Sequence, residues 1–493
     1  MTALAGAPST RFFHWKTIDW KLVEEQVSRL QLRIAKAIKI GRLAKAKALQ
    51  WLLTHSFFAK LLAIKRVTQN TGKNTPGIDG VIWKTDRQKI NAAYSLKRKG
   101  YKAQPLRRIY IPKKNGKPRP LGIPTKSDLA QQALHLLGLM PIAEILADEN
   151  SYGFRPKRSI HDAIGQCFNL LSRRCSPQWV LEGDIKSCFD KISHNWLEQH
   201  VMMDKFVLKQ WLKAGFIEKE AFHDTVSGSP QGGIASPTLA NITLDGLEQV
   251  IQRITEKGDK VHFVRYADDF ICTAWSRETL ETKVQPAIVN FLDERGLELS
   301  LEKTKISRIE EGFDFLGFNV RKYGHKLLIK PSKASVKKFA DTLRETIQKL
   351  GNSSTAGLIA SLNSKIRGWT NHYRSVVAKK VFSDIDNIIF NSIWKMLKRK
   401  HPNKNTSWIR NKYFTCIGLR NWCFFCKVKN KEGVRKLYTL LNAAKTKIKR
   451  HIKIRGKATP FDEDFKDYFI EREDRRKRER ANSRIVNYDR KGA

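Results

Sequence analysis

The sequence predicts an α+β protein built from several packed units, and three observations carry that expectation. Trp20, Val23, Val27, Leu30, Ile34 and Ile38 recur at helical spacing near the N-terminus. In the middle of the chain, short β-prone runs at residues 179–184 and 263–272 are interleaved with helical patterns such as residues 124–146. After Pro331 the strand signals stop, and three amphipathic stripes follow with short connections, the pattern of a helical bundle. A chain of 493 residues exceeds the usual size of one core, so about three or four units are expected.

Ninety-three Lys and Arg face 47 Asp and Glu, a formal net charge of +46. A charge of that size and sign attracts polyphosphate, which makes nucleic acid the expected partner. Hydrophobic content of 41% with 10% aromatics fills real cores, which excludes a wholly disordered basic arm. Seven cysteines, an odd number in so long a chain, point to a reducing compartment rather than a disulfide-stapled secreted protein. The first sixteen residues lack the basic start and apolar stretch of a signal peptide. The most apolar internal segment, 133–147, is interrupted by His135, Pro141 and Glu144 and is expected to fall short of a bilayer span. The expectation is a soluble, intracellular chain with no membrane partner.

Each element has its own signal. Residues 1–70 hold thirteen Lys and Arg against Asp19, Glu24 and Glu25, so the first stripe predicts an amphipathic helix with a basic back. Gly72, Pro76, Gly77 and Gly80 mark a turn-rich boundary, with a new unit beginning near Val81. Residues 97–126 carry eleven Lys and Arg and no acid, around β-prone Arg108-Ile109-Tyr110-Ile111 and the turn Pro112-Lys113-Lys114-Asn115-Gly116. That predicts a basic hairpin. A charge run is usually a solvated face, but this excess is too one-sided for ordinary solubility. The bundle stripes are Val336, Phe339, Leu343, Ile347 and Leu350, then Leu358, Leu362, Ile366, Trp369 and Tyr373, then Ile385, Ile389, Ile393 and Met396. Residues 321–412 hold twenty-one Lys and Arg against four acids, which predicts a grip on a phosphate backbone. Residues 471–493 mix charges of both signs with few apolar anchors and are expected to fray or to order on a partner.

The sharpest chemical signal is Tyr266-Ala267-Asp268-Asp269, two adjacent carboxylates flanked by strand formers and so expected at a hairpin tip. An isolated Asp-Asp is most often a solvated turn. The odds change with Asp184, which closes a second apolar strand at Leu181-Glu182-Gly183-Asp184. Clustered acids repel unless a cation neutralises them, and Mg²⁺ prefers a few carboxylates shared with substrate phosphates. Two Mg²⁺ ions on Asp184, Asp268 and Asp269 would clamp an attacking 3′-hydroxyl and a leaving pyrophosphate, which is nucleotidyl transfer. Asp190 lies past the strand end and is left out of the ligand set.

Around these acids stand further blocks, in order. They are Thr75-Pro76-Gly77-Ile78-Asp79-Gly80; Ile111-Pro112-Lys113-Lys114-Asn115-Gly116-Lys117-Pro118-Arg119-Pro120-Leu121-Gly122; Ser151-Tyr152-Gly153-Phe154-Arg155-Pro156; Gly228-Ser229-Pro230-Gln231-Gly232-Gly233; and Phe315-Leu316-Gly317-Phe318. With Asp184 and the Tyr-Ala-Asp-Asp string, this ordered set resembles the group II intron-encoded reverse transcriptases over about residues 20–420. The resemblance implies a right-hand polymerase fold. Its parts are an N-terminal helical extension that binds RNA (1–80), fingers and palm (81–325), a helical-bundle thumb or maturase domain X (326–405), and a small basic DNA-binding region with its tail (406–493). It also implies an RNA-directed DNA polymerase that uses dNTPs with two Mg²⁺ ions. The partners it implies are the group II intron RNA, whose splicing and reverse splicing the protein assists, target DNA, and an RNA template with a DNA primer. Such proteins are cytoplasmic and nucleoid-associated in bacteria, or organellar. The alternatives are a retron-type or diversity-generating reverse transcriptase, and a non-catalytic RNA-binding splicing factor. Loss of an acid would mark the last, and none is lost.

The resemblance gives other residues roles. Lys113 and Arg119 flank the hairpin turn and close over the triphosphate, Arg as a fork and Lys as a point charge. Gln231, in a small, turn-rich segment, lies against the nascent base pair. Phe189, five residues after Asp184, is the bulky side chain that excludes a 2′-hydroxyl. Ile185 joins the same nucleotide-binding group, and Lys305 faces the primer or active site. Longer relatives end in a metal-dependent endonuclease, which this chain is expected to lack, so priming must come from elsewhere. Cys423-Phe424-Phe425-Cys426 has zinc spacing but no second pair, and is expected to be core or incidental thiols. Trp408, Tyr413, Phe414 and Trp422, interleaved with Arg410, Lys412 and Arg420, suit either stacking on unpaired bases or a small helical core with a basic surface.

Overall fold

A computed structural model describes residues 14–112, 118–218, 221–225, 227–228, 232–300, 302–429 and 434–489, without the side chains of Pro112, Arg119 and residues 479–489. The basic N-terminal segment forms three helices rather than one: α1 (Trp20–Lys39), α2 (Leu43–His55) and α3 (Phe57–Gln69). Asp19 starts the first by accepting from the backbone N–H groups of Lys21 and Leu22. A capping box of Thr85 and Gln88 starts α4 (Asp86–Ser95). The first three pack on α5 (Lys126–Leu146) and α4 packs on α3, so that Val23, Ile34, Leu53, Ile64 and Ala93 share a core with Ala130, Ala133 and Leu134. The apolar segment expected to fall short of a bilayer is thus part of a 21-residue helix that is long and apolar enough to cross one, with 78% of its most apolar stretch buried inside the protein. A helix apolar on all sides is what a core position requires.

The basic hairpin is β1 (Leu106–Pro112) against β2 (Pro118–Ile123). Its sheet extends through β4 (Phe216–Glu218), parallel to β1, to β5 (Ala221–His223). Between them in the chain come α6 (Ile160–Leu171), β3 (Trp179–Lys186), α7 (Cys188–Lys191), α8 (His194–His200) and α9 (Lys205–Leu212). Next follow α10 (Ser236–Leu244), α11 (Leu247–Ile254), β6 (His262–Tyr266), β7 (Asp269–Ala274), α12 (Arg277–Thr279), α13 (Gln285–Asp293), β8 (Glu298–Leu299) and β9 (Lys305–Arg308). The central antiparallel sheet runs β6-β7-β3, and β8 and β9 pair with the free edge of β3. Its strands are buried on both faces. Leu181, Phe263, Phe270 and Cys272 join a core with Val207, Leu239 and Ile288, while Val180, Val264 and Ile271 join the core of the C-terminal helices. Successive side chains of a strand alternate, so each strand serves both cores.

A meander of β10 (Phe313–Phe315), β11 (Phe318–Tyr323) and β12 (Lys326–Pro331) leads into α14 (Lys333–Leu350), α15 (Thr355–Tyr373) and α16 (Lys379–Lys400). Phe339, Leu343, Ile347, Leu358, Leu362, Ile366, Ile385, Ile389 and Ile393 are buried together, as their spacing predicts. Strands do not stop at Pro331, however. After α17 (Thr406–Tyr413) comes a second three-stranded antiparallel sheet, β13 (Phe414–Ile417), β14 (Arg420–Lys429) and β15 (Arg435–Thr439), so the expected small helical core is a sheet packed on α15 and α16. The tail also departs from expectation. It forms α18 (Lys466–Asp489), whose first turns dock through Arg472 on Asp162 and through a Lys157–Glu473 ion pair. Buried Asp162 accepts from His451 Nε2 (2.8 Å), Ile454 N (2.7 Å), Arg472 Nη2 (3.1 Å) and Ser159 Oγ (2.7 Å). Burial works against its charge, but these donors outweigh it and hold the carboxyl down at about 2.

One buried ion pair fixes α5 to the Tyr152-Gly153-Phe154-Arg155 segment beside the central sheet. Arg155 Nε and Nη2 each lie 3.0 Å from one Glu144 oxygen, and Nη1 donates to the carbonyls of Asp148 (2.7 Å) and Ser151 (3.1 Å). Removing one partner leaves an uncompensated buried charge. Arg155→Ala is therefore expected to lower the free energy of unfolding by about 3–5 kcal/mol in urea titrations. Glu144→Leu with Arg155→Met should cost much less than that.

Candidate active site

The register of β3 against β7 brings Trp179 opposite Ala274 and, five residues on, Asp184 opposite Asp269. The β6–β7 hairpin turns on Ala267 and Asp268. All three predicted acids therefore lie at one end of the central sheet. One detail differs: β3 runs on past Asp184, with Ile185 and Lys186 pairing to Leu299 and Glu298 of β8.

The turn is held from beneath. Ala267 has φ 59°, a left-handed conformation that is unfavourable for a residue with a Cβ. Fully buried Arg265 donates to Ala267 O (3.4 Å), to Asn241 Oδ1 (3.1 Å) and to Asp245 Oδ1 (2.5 Å). Gly153 packs directly on the turn, where a Cβ would stand 2.3 Å from Ala267 N. At Gly183 a Cβ would meet the Phe270 ring at 2.2 Å, so glycine there lets β3 and β7 close with Asp184 and Asp269 face to face.

Electrostatics at this edge are unfavourable without a cation. The enclosing protein, then the charges of Asp268 and Asp184, push the Asp269 carboxyl up to about 6. A cation is present in the form of Lys303, whose ammonium lies 2.5 Å from Asp184 Oδ2. That contact raises the Lys303 pKa. Burial likewise pushes Glu182, two residues before Asp184, up to about 7, against the pull of Lys305. Among the described residues no three His, Cys, Asp or Glu side chains are spaced to enclose an ion unaided. The donor chemistry nonetheless fits a divalent cation: hard carboxylate oxygens, mutual repulsion, and a positive group already seated on one of them.

The remaining predicted residues are distributed as follows. Lys113 and Gln231 lie outside the described residues. Arg119 sits on β2 opposite Ile111, so the backbone carries it on the arm of the hairpin as expected. Phe189 is at the start of α7, half-buried, with its ring edge-on to Phe154 at 6.2 Å. The Ile185 side chain is buried in the core behind the sheet, which leaves only its backbone to face the site. Lys305 is on β9 opposite Glu182, and the lysine on the acidic edge is Lys303 instead. Cys423 and Cys426 sit three apart on β14 and so point to opposite faces, with Cys423 buried. Of the interleaved aromatics, Tyr413 and Phe414 are core residues, whereas Trp422 is 37% exposed under the Arg410 guanidinium at 4.9 Å. Sequence reasoning missed Lys303 and Arg265. Arg265 lies within the β-prone run 263–272 and Lys303 two residues before Lys305, but only the fold shows what each touches.

Comparison with known proteins gives the family. Residues 111–320 match the reverse transcriptase (RNA-dependent DNA polymerase) family model, 15–96 the N-terminal domain of reverse transcriptase, and 336–414 the group II intron maturase-specific domain. Protein YkfC of Escherichia coli K12 is 31% identical over 336 residues, spanning 59% of this chain and 86% of its own. Group II intron-encoded protein LtrA of Lactococcus lactis is 30% identical over 412 residues, spanning 63% of this chain and 68% of its own. Among solved structures, a Candida albicans telomerase complex aligns over 63% of this chain and 64% of that one, at 13% identity and a TM-score of 0.37. The chain belongs to the group II intron-encoded reverse transcriptase and maturase family. It is an RNA-directed DNA polymerase with a maturase domain, it binds intron RNA, and enzymes of its family depend on divalent metal.

Folded Asp269 holds its proton more tightly than the unfolded chain does. Its contribution to stability is thus present below about pH 4 and is lost as pH rises through about 6. Because Asp269 faces solvent, screening limits the effect to roughly 1 kcal/mol or less. In thermal melts of the metal-free protein, Asp269→Asn should be stabilising above about pH 7 and nearly silent near pH 4. Added Mg²⁺ should raise the melting temperature of wild type more than that of the variant.

Proposed function

We propose that Asp184, Asp268 and Asp269 hold two Mg²⁺ ions and that the chain copies its intron RNA into cDNA at this edge. The observation that carries the reading is the register of β3 on β7, which opposes Asp184 to Asp269 with Asp268 at the adjoining turn. Bound there, the ions would supply the charge that activates a primer 3′-hydroxyl and neutralises the departing pyrophosphate. The protein's part is positional. Lys303 neutralises Asp184 until that carboxylate is needed, then withdraws. Lys113 and Arg119 close on the triphosphate. Gln231 lies on the nascent pair, and Ile185 offers its backbone beside the nucleotide. Phe189, braced by Phe154, blocks the space a ribose 2′-hydroxyl needs.

The rest of the chain is read as the polymerase's supports. Residues 1–80 and the thumb at 326–405 hold the structured intron RNA for splicing and reverse splicing, 81–325 hold the RNA template and DNA primer, and 406–493 contact target DNA. The setting is the bacterial nucleoid or an organelle, where intron transcript and DNA meet.

Asp268→Ala with Asp269→Ala should reduce primer extension on an RNA template by more than about a thousandfold while intron RNA retention and splicing assistance persist. A double variant that still makes cDNA would remove the assignment. Phe189→Val should increase ribonucleotide incorporation in competition assays without loss of dNTP use.

A further inference from the structure

A cavity of about 780 Å³ lies apart from the acidic edge. It is walled by α2, the start of α3, the segment after α4, the middle of α5, and the link between α8 and α9. None of the acids or the nucleotide-facing residues discussed above lines it. Lys47, Lys60, Lys97, Arg98, Lys99 and Lys205 all line it, and Asp204 is the one carboxylate that does. Asp204 is taken by Arg98. The five lysines have no ion-pair partner among the described residues. Some are held close enough to oppose each other: after burial, Lys97 lowers the pKa of Lys60, and Lys47 lowers that of Lys205. A protein holds like charges together around a hollow at a cost that an anion would relieve.

The cavity also has a flat platform and a firm floor. Trp51 is 60% exposed and stacks on His55 with ring centroids 4.2 Å apart, while the His55 ring bonds Trp51 O at 2.8 Å. The facing helix repeats the device, with His200 stacked on Trp196 at 4.2 Å. Gln50 Nε2 donates to Gly138 O (3.2 Å) and Met202 O (2.9 Å), which ties the α2 wall to the other two. Buried His135 is held neutral, its pKa pushed down to about 4. The result is a set of lysines without carboxylate partners among the described residues, Lys205 bonding Val201 O at 2.6 Å, around an exposed indole in a pre-formed hollow. Its volume is within the ~300–1,000 Å³ that takes a drug-sized ligand, so one or two nucleotides fit and a duplex does not.

We infer that this cavity is a binding site for an unpaired segment of the intron RNA, one base stacked on Trp51 and its flanking phosphates on Lys60, Lys97, Lys99 and Lys205. This rests on the chain's binding intron RNA and adds where a looped-out stretch of it is held. Single-stranded bases can be splayed out and stacked on aromatic rings, which paired bases cannot. Stacking tolerates any base, and the lysines read only the backbone, so the site grips unpaired RNA without sequence preference.

The test uses the full-length protein, the intron transcript, a short oligouridylate bearing iodouridine, and a DNA oligonucleotide of matching sequence. Trp51→Ala should weaken oligouridylate binding about 5- to 100-fold. Trp51→Phe should restore most of it, and photocrosslinking of the oligouridylate should map to Trp51. Lys60→Gln with Lys99→Gln should reduce the slope of log K against log salt by about 1.4, the share of two single-strand phosphates. Primer extension on an unrelated RNA template should match wild type in every variant. If the variants bind oligouridylate and transcript as wild type does, the inference fails while intron binding stands. If only DNA binding falls, the site belongs to DNA and the inference is overturned. If wild type does not retain the transcript, the family reading of intron binding fails first, and this inference with it.

Discussion

Carboxylates held face to face across two paired strands repel, and the centre of this protein is arranged so that they stay there. Because strand side chains alternate, a slip of one residue between β3 and β7 would turn Asp184 away from the face it shares with Asp269. Two features oppose such a slip. Phe270 fills the space left by the missing side chain of Gly183, and a Cβ at that position would stand 2.2 Å from its ring. Arg265 lies wholly buried under the turn and binds Ala267, Asn241 and Asp245 at once, so moving the hairpin would strand a charge in the core. Repulsion at the edge is thus balanced by a register that has nowhere else to go. Lys303 lessens the repulsion locally, from the turn between β8 and β9.

Holding that edge rigid takes both faces of the sheet. One face packs on the helices of residues 194–293 and the other on α6 and the C-terminal helices, so neither half of the molecule can be removed without exposing β3 and β7. Asp162 extends the same logic to the end of the chain. It sits on α6, which packs beside β6, and its Oδ1 alone accepts from residues 451, 454 and 472 while Oδ2 accepts from Ser159. With its pKa held down at about 2, the carboxyl stays ionised wherever the protein is folded near neutrality, and the tether persists. Lys39 of α1 reaches Asp462 and Asp464 of the same segment, joining the two ends of the chain by surface contacts.

What was legible in the sequence follows from where periodicity and chemistry coincide. The bundle stripes were readable because each helix buries one face only, so Leu343, Ile366 and Ile389 recur at a single period. The convergence of the three acids was readable because Asp184, closing a second apolar strand, changes what an Asp-Asp pair on a hairpin tip implies. α5 is a helix where the sequence predicts one, but its apolar length is underestimated from sequence because His135, Pro141 and Glu144 look like interruptions when they are core residues. The sheet at residues 414–439 was missed because its outer face is polar and aromatic, with Trp422 and Leu437 exposed, which hides the alternation. Lys303 was passed over for Lys305 because spacing alone does not tell which lysine follows the turn at Ser300, whose N–H donates to Asp184 O.

The net charge of +46 understates how basic the surface is. Among the described residues five acids, Asp128, Glu144, Asp148, Asp162 and Glu248, are buried, against four Lys and Arg side chains, Lys126, Arg155, Arg265 and Lys322, a difference of one charge. Since the chain has about half as many acids as bases, the acids withdrawn inside are a much larger share of their kind. Most serve the elements beside the active edge: Glu144 clamps Arg155, Asp148 accepts from the backbone of Gly246 and Glu248 at the start of α11, and Glu248 binds Asn150 next to β6. Carboxylates turned inward to hold the polymerase rigid are thereby unable to neutralise lysines outside. One choice of where acids go makes the core specific and leaves the exterior open to phosphate.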